Sequence, residues 1–200
     1  MSAFLQTDGD QSFAQNNHDP QAERGLSAFD QRHRFVFTTS YVLPFQRNLL
    51  ARGWQLYAIG SFQSGPPFTP RLSFDNSNTG NTGDVSGVDR PDVVGDPRQG
   101  PSTPERFFNT AAFVTPEPLQ FGNAGRNILT GPGLATVDVA VVRTFALSES
   151  VSLDFRTEAF NLSNRANFDL PRRVSDQPDF GSIPSAKSAR QIQFSLRLRF

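Results

Sequence analysis

The chain has 200 residues, 36% of them hydrophobic, and its 19 Lys and Arg side chains balance 19 Asp and Glu, so the formal net charge is zero. Without a basic run there is no surface to neutralise the phosphates of a duplex, which argues against nucleic acid as a partner. Cysteine is absent, which excludes disulfide scaffolds and zinc or iron–sulfur sites ligated by Cys.

Membrane helices are also excluded by the sequence. No stretch approaches the run of about eighteen apolar residues that a spanning helix needs, but spanning strands need only alternate. The amino terminus, MSAFLQTDGDQSFAQ, lacks the charged and apolar regions of a secretory signal peptide. If the protein is exported, we expect the chain to be a piece of a longer protein whose biological start is not Met1.

The first half of the chain predicts two strands between loops. Residues 1–31 are polar and predict a loop. Alternation from His33 to Leu43 and from Trp54 to Gln63 predicts a strand pair, and an extension through Phe74 would complete a segment of residues 33–74. Residues 75–133 hold most of the glycines and prolines without periodicity, so they predict a long loop. Such a loop is unusual in a compact domain and typical of the outer rim of a barrel.

The second half predicts three more strands. Residues 134–160 predict a hairpin, with strands on either side of a tight turn at Ser148 to Ser150, and residues 161–189 predict another loop. Residues 190–200, RQIQFSLRLRF, alternate without exception and predict a closing strand. The fold class is therefore all-β, with about five antiparallel amphipathic strands of a partial transmembrane β-barrel and long extracellular loops.

The alternating loop lengths predict an orientation. Short turns would gather on the inner side of the membrane and long loops on the outer side. Aromatic residues of the apolar parity then fall near the inner ends of four strands, where rings favour the membrane interface. This predicts an interfacial aromatic girdle of Tyr41, Trp54, Phe145 and Phe200.

Three charged residues share the polar parity of the fourth strand: Asp154, Arg156 and Glu158. In an enzyme they could act as acid, base and clamp. Neighbours two apart on one face of a barrel more often form a lumen-facing ladder of ion pairs, which we favour. Because the sequence also lacks GxSxG, Walker and GxGxxG motifs, we expect no enzymatic activity.

No metal or cofactor is expected either. His18 and His33 lack a ligand-spaced partner. The run Asp75, Ser77, Thr79 and Gly80 resembles the start of a calcium loop, but Ser86 stands where the last ligand should be Glu, so turn chemistry is favoured. Outer-loop acids that could bind a divalent ion, and are more often solvated, are Asp84, Asp89, Asp92 and Asp96.

Four segments resemble the carboxyl-terminal barrel of Oar-like TonB-dependent outer-membrane receptors: AERGLSAFDQRHRFVFTTSYVLPF, GWQLYAIGSFQSGPPFTP, RTEAFNLSNRANF and QFSLRLRF. The resemblance covers nearly the whole chain and implies a location in the outer membrane of a Gram-negative-type bacterium. It implies a barrel filled by a plug, with the remaining strands and plug of the full-length receptor as partners, and energy from the TonB complex through amino-terminal parts absent from this chain.

The same resemblance gives the closing strand a role. Its aromatic and apolar residues are similar to the signal read by the barrel-assembly machinery, which carries over to Phe194, Leu196, Leu198 and Phe200. We therefore predict an outer-membrane barrel segment, in contact with outer-membrane lipid, that takes part in ligand uptake. The alternative is a secreted or surface-attached β-sandwich with a binding or adhesive role, because core-facing and lipid-facing parity look alike in sequence.

Overall fold

A computed structural model describes residues 14–45, 52–80 and 89–200 of the chain. They form two compact units. The sheet unit comprises the described parts of Arg32–Ser64, Gly133–Asn167 and Lys187–Phe200. The loop unit comprises the described parts of Met1–Gln31, Gly65–Pro132 and Phe168–Ala186.

The described residues are almost entirely β-strand and loop. One 3-10 helix covers Thr110–Ala112, and no helix in the described ranges has the length and apolarity to cross a membrane. In chain order the strands are β1 (Arg34–Val42), β2 (Gln55–Gln63), β3 (Pro67–Phe68), β4 (Asp92–Val93), β5 (Phe113–Val114), β6 (Leu129–Thr130), β7 (Leu134–Ala146), β8 (Ser152–Phe160) and β9 (Gln191–Arg199).

The five long strands form one antiparallel sheet in the order β1-β2-β7-β8-β9. Each strand pairs with the next long strand along the chain. Because side chains of paired residues point to the same face, the apolar parity continues across the whole sheet. The all-β prediction, with antiparallel amphipathic strands, is confirmed, and among the described residues no pairing joins β1 to β9.

A glycine opposite an aromatic ring fixes the register at the β1–β2 pair. Phe37 pairs with Gly60, and a Cβ added to Gly60 would meet the Phe37 ring at 2.1 Å. The Phe37 ring therefore lies over the glycine and reaches Phe62, with ring centroids 6.4 Å apart. Only a residue without a side chain leaves room for this arrangement.

The loop unit has a core of its own, built largely from phenylalanine rings. Phe68, Phe108 and Phe113 are buried. The Phe108 ring lies 5.8 Å from that of Phe68, 5.9 Å from that of Phe113 and 5.0 Å from that of Phe180. Two short antiparallel pairs, β3 with β6 and β4 with β5, frame this cluster. The described part of residues 75–133 is therefore a folded element, although its sequence shows no periodicity.

A charged cluster adds a second, polar centre to the loop unit. Glu23 forms ion pairs with Arg90 and Arg126, and its carboxylate lies 3.4 Å from the Arg126 guanidinium. Burial lowers the pKa of Arg90, and the attraction of Glu23 opposes that effect. Removing one member would leave a buried charge without compensation, so the cluster fixes how residues 14–31 dock within this unit.

The predicted extension of the second strand through Phe74 is not observed. Instead, β3 pairs with β6 in a separate two-stranded sheet. The turn after β2 explains the change, because a Cβ on Gly65 would lie 1.8 Å from the carbonyl oxygen of Gly131. The chain passes close to the 131–132 backbone at this point, and Pro66 and Pro67 cannot donate ladder hydrogen bonds.

Candidate functional site

The charged residues of β8 form two groups of contacts, which reach the neighbouring strands β7 and β9. Asp154 accepts a hydrogen bond from the Thr144 hydroxyl of β7 at 2.7 Å and pairs with Arg199 of β9. Glu158 pairs with Arg156 and accepts a hydrogen bond from the Gln193 amide of β9. The predicted residues thus take part in two separate ion pairs, Arg156 with Glu158 and Asp154 with Arg199. A continuous ladder through all three stays a prediction, as does a lumen lined by the polar-parity face.

Of the predicted girdle, the structure brings two rings together. Trp54 and Phe145 meet edge to face with centroids 6.4 Å apart, and Trp54 also meets Phe155 at 5.8 Å. Tyr41 and Phe200 are 55% and 98% exposed and take part in no ring contact among the described residues. The four residues are not one cluster, but their register relates them.

Residues directly opposite one another across the sheet form rows. Rows of the apolar face recur at every second residue. Counted in these same-face rows from that of Tyr41, Trp54 lies one row further, Phe145 two rows and Phe200 three rows, on successive strands with β8 skipped. Three rows are about 20 Å along the strands and four strand spacings about 19 Å across them, so a line through these residues crosses the strands at about 45°. Barrel strands tilt by about 35–45°, so a common depth for the four residues fits a tilted sheet.

An arginine that alternation did not single out lies among these rings. Arg143 has the apolar parity of β7, yet it is buried, with its guanidinium carbon 4.0 Å from the Phe145 ring centroid and 5.5 Å from that of Trp54. Arginine stacks on aromatic faces, which explains how it occupies an apolar position. In the sequence, the only sign of this contact was that Arg143 interrupts the apolar parity of β7 two residues before Phe145.

At the opposite end of the sheet, three asparagines spaced three apart tie the long strands together. Asn167 is buried, accepts a hydrogen bond from the Ala135 amide at 2.8 Å and donates to the Ala135 carbonyl at 3.1 Å, so it acts as a strand partner for β7. Asn164 accepts from the backbone amide of Arg190, next to β9, at 3.0 Å. Asn161 holds both backbone groups of Arg165, at 2.9 and 3.2 Å.

Backbone conformation explains why asparagine occupies two of these positions. Asn161 and Asn164 have φ angles of 49° and 51°. Asparagine tolerates this left-handed region better than most residues, and its short amide can bond to the local backbone. The NLSNRAN run is thus a structural turn, and Asn161 is buried within it.

In the acidic loops, the carboxylates of Asp75 and Asp89 accept hydrogen bonds from backbone amides. Asp75 accepts hydrogen bonds from the Gly80 and Thr79 amides at 2.7 and 3.2 Å, as turn chemistry predicts. Asp89 is fully buried and accepts from the Ser77 amide at 2.7 Å; burial raises its pKa. Within the described ranges no group of three or more His, Asp or Glu side chains could hold a metal. Asp84 and Ser86 lie outside them.

The chain was compared with known proteins. Residues 1–193 match the family model described as an outer membrane beta barrel domain. The chain belongs to this family. Comparisons with curated proteins and with solved structures found no match.

Membership of the outer membrane barrel family decides between the two architectures left open by the alternation. The amphipathic sheet of this barrel domain is part of a barrel wall, and the protein belongs in the outer membrane of a Gram-negative-type bacterium. A β-sandwich would divide its long strands between two sheets, whereas here all five lie in one.

The terminal strand of the barrel domain presents the residues of the predicted assembly signal on one face. Phe194 and Leu196 pair with Thr157 and Phe155 of β8 and are 72% and 68% exposed. Leu198 follows on the same face, and Phe200 follows β9. Their recognition by an assembly machinery stays a prediction.

Proposed function

We propose that this barrel domain is part of an Oar-like TonB-dependent receptor that takes up a ligand across the outer membrane. The observation that carries the proposal is the arrangement of its connections. Because the sheet is antiparallel throughout, the long connections after β2 and β8 leave the same end, and the short β7–β8 turn lies at the other. Described residues of both long connections belong to the compact loop unit.

In this proposal the loop unit captures the ligand at the cell surface. The polar-parity face, with its ladder of Asp154, Arg156 and Glu158, faces the path through the barrel, and the apolar face contacts outer-membrane lipid. The plug and remaining strands of the full-length receptor close the path. The TonB complex supplies energy, and the domain itself has a role in transport rather than catalysis.

The absence of cysteine makes the orientation directly testable. Glu105→Cys places one thiol in the loop unit, and Ser150→Cys places one in the short turn between β7 and β8. In intact cells, a membrane-impermeant maleimide should label the first variant and not the second, whereas permeabilised cells should show labelling of both. Labelling of Ser150→Cys alone in intact cells would reverse the orientation and remove loop capture from the proposal.

Dependence on TonB needs a separate experiment. The full-length gene product, expressed with its native upstream sequence, should cross-link to TonB in living cells, and the cross-linked band should vanish from a strain that lacks TonB. If the barrel has the expected orientation but gives no TonB-dependent band, the protein is an outer-membrane barrel but not a TonB-dependent receptor.

A further inference from the structure

A cavity of about 580 Å³ lies at the end of the sheet unit from which the long connections leave. It is formed by the start of β1, the end of β2, the start of β7 and the turn after β8. Three arginines, Arg32, Arg34 and Arg165, line it together with His33, and no carboxylate is among its lining residues.

These arginines are available for a ligand. All three are exposed, and among the described residues none of them has a carboxylate partner. A guanidinium is weakly hydrated and presents its donors in a planar fork that matches a phosphate group. Three such groups around one cavity repel one another, so an anion bound between them would relieve the repulsion.

Hydrogen bonds hold the backbone at or beside two of the arginines. Asn161, 6% exposed, binds both backbone groups of Arg165. On the other side, the amide of His33 donates to the Ser64 hydroxyl at 3.1 Å, and the Ser64 amide donates to the His33 carbonyl at 2.9 Å. This pair continues the β1–β2 ladder beyond Arg34 and fixes the backbone next to Arg32. The backbone that carries these cations is therefore ordered before a ligand arrives, which lowers the cost of binding.

The remaining wall of the cavity is aromatic. Phe35 and Phe62 are a cross-strand pair with ring centroids 6.3 Å apart, and they are 62% and 38% exposed. Both have the parity of the apolar face, which in a barrel wall contacts lipid. Arg34 directly precedes Phe35 in β1, so its side chain has the parity of the polar face. Arg32 lies before β1 and Arg165 after β8, so strand alternation does not assign them to that face. These two cations and the lipid-facing rings meet at one edge of the sheet. Free phosphate would use the cations alone, whereas a phosphorylated lipid would use both.

We propose that this cavity binds the phosphate of an anionic lipid, with the start of its acyl chain against Phe35 and Phe62. The guanidinium groups of Arg32 and Arg165 hold the phosphate oxygens. The site requires only that the chain forms part of an outer-membrane barrel, and it does not depend on TonB or on ligand uptake.

The test is native mass spectrometry of the full-length gene product, purified from outer membranes and held in detergent micelles. It compares the wild type with the double variant Arg32→Gln, Arg165→Gln. The control, Arg98→Gln, Arg106→Gln, removes the same charge from exposed positions of the loop unit. The probes are phosphatidic acid, phosphatidylcholine with the same acyl chains, and inorganic phosphate.

Wild type and control should bind phosphatidic acid equally, and the cavity variant should bind it at least about tenfold more weakly, since several charge-assisted hydrogen bonds are lost. Phosphatidylcholine should bind weakly to all three proteins. If the cavity variant bound phosphatidic acid as tightly as the wild type does, the proposed site would be overturned. Displacement of phosphatidic acid by an equal concentration of inorganic phosphate would overturn the lipid as its occupant.

A folding control protects this comparison. If the glutamine variant loses its heat-resistant barrel band on a gel, a variant with lysine at the same two positions replaces it. Lysine keeps the charge but not the planar fork, so phosphatidic acid should bind several-fold more weakly than to wild type. Binding of the lysine variant equal to that of wild type, with phosphatidylcholine bound equally well, would also overturn the proposed phosphate site.

Discussion

At the scale of single residues, the end of the sheet from which the long connections leave depends on side chains that replace backbone partners. Asn167 satisfies both backbone groups of Ala135 and is 2% exposed. A buried backbone group without a partner costs more than the hydrogen bond contributed, so a few such residues decide whether the end of β7 stays ordered.

Asn167→Ala should therefore lower the free energy of unfolding by about 1–3 kcal/mol, because the Ala135 amide and carbonyl lose their partner. The measurement is urea unfolding of the detergent-solubilised protein, followed by Trp54 fluorescence. Asn17→Ala is the matched control and should leave the midpoint unchanged, because Asn17 is exposed and its side chain forms no hydrogen bond among the described residues. Equal midpoints for both variants would contradict the role of Asn167.

Gly60 is the other residue on which the register depends. In Gly60→Ala the new methyl group would lie 2.1 Å from the Phe37 ring, so the ring must move away from Phe62. We expect a loss of about 1–3 kcal/mol, as for an overpacked core. The same unfolding assay applies, with Gly95→Ala as control, because its methyl group would meet Ala112 at an ordinary 3.6 Å.

The double variant Gly60→Ala, Phe37→Ala tests the cause. Removing the ring should make the added methyl group nearly neutral relative to Phe37→Ala alone. A loss that persists without the ring would assign the effect of Gly60 to backbone conformation instead.

At the scale of elements, the five long strands could be predicted from alternation, because one face of each meets an apolar environment and the other a polar one. β9 spans Gln191–Arg199 within the predicted 190–200. The loop unit could not be predicted in this way. Its strands of two residues are too short to alternate, and its core joins Phe68, Phe108 and Phe180 from distant parts of the chain.

The charged residues of β8 were also predictable only in part. Parity placed Asp154, Arg156 and Glu158 on one face, but not their partners on β7 and β9. Asp154 stands opposite Arg197 in the register and yet pairs with Arg199. A choice between two arginines on one face depends on side-chain rotamers, which sequence periodicity does not contain.

A double-mutant cycle distinguishes these arginines. Asp154→Ala and Arg199→Ala should couple by about 0.2–1 kcal/mol, since the pair is partly exposed and screened by solvent. The cycle with Arg197→Ala is the control and should give a smaller coupling, because Arg197 forms no ion pair among the described residues. Unfolding midpoints supply both values. A stronger coupling to Arg197 would contradict the observed pairing.

The last strand carries a prediction about assembly. If Phe200 belongs to the signal read by the barrel-assembly machinery, Phe200→Ser should reduce the folded protein in outer membranes several-fold while leaving its synthesis unchanged. Heat-modifiable migration on gels measures the folded fraction. Arg197→Ser, on the opposite face of the same strand and outside the observed ion pairs, is the control. An equal folded fraction for both variants would remove Phe200 from the signal.

At the scale of the whole molecule, the described sheet has two edges, β1 and β9. Both are strands of nine residues with exposed backbone groups and apolar side chains on one face. Such edges pair readily with other strands. Within a complete barrel, neighbouring strands would cover them.

The 200-residue chain expressed alone should therefore associate in aqueous buffer. Sedimentation should show large species at micromolar concentration, which disperse when detergent covers the apolar face. A soluble monomer without detergent would contradict the barrel-wall assignment of this sheet.

The phenylalanine core of the loop unit has a thermodynamic consequence for any ligand that the unit meets. A disordered loop must lose conformational entropy when it closes on a ligand, and that loss subtracts from affinity. Here the rings of Phe68, Phe108, Phe113 and Phe180 already pack against one another. A ligand would therefore encounter an ordered surface, and its binding should show only the small heat-capacity change of rigid association.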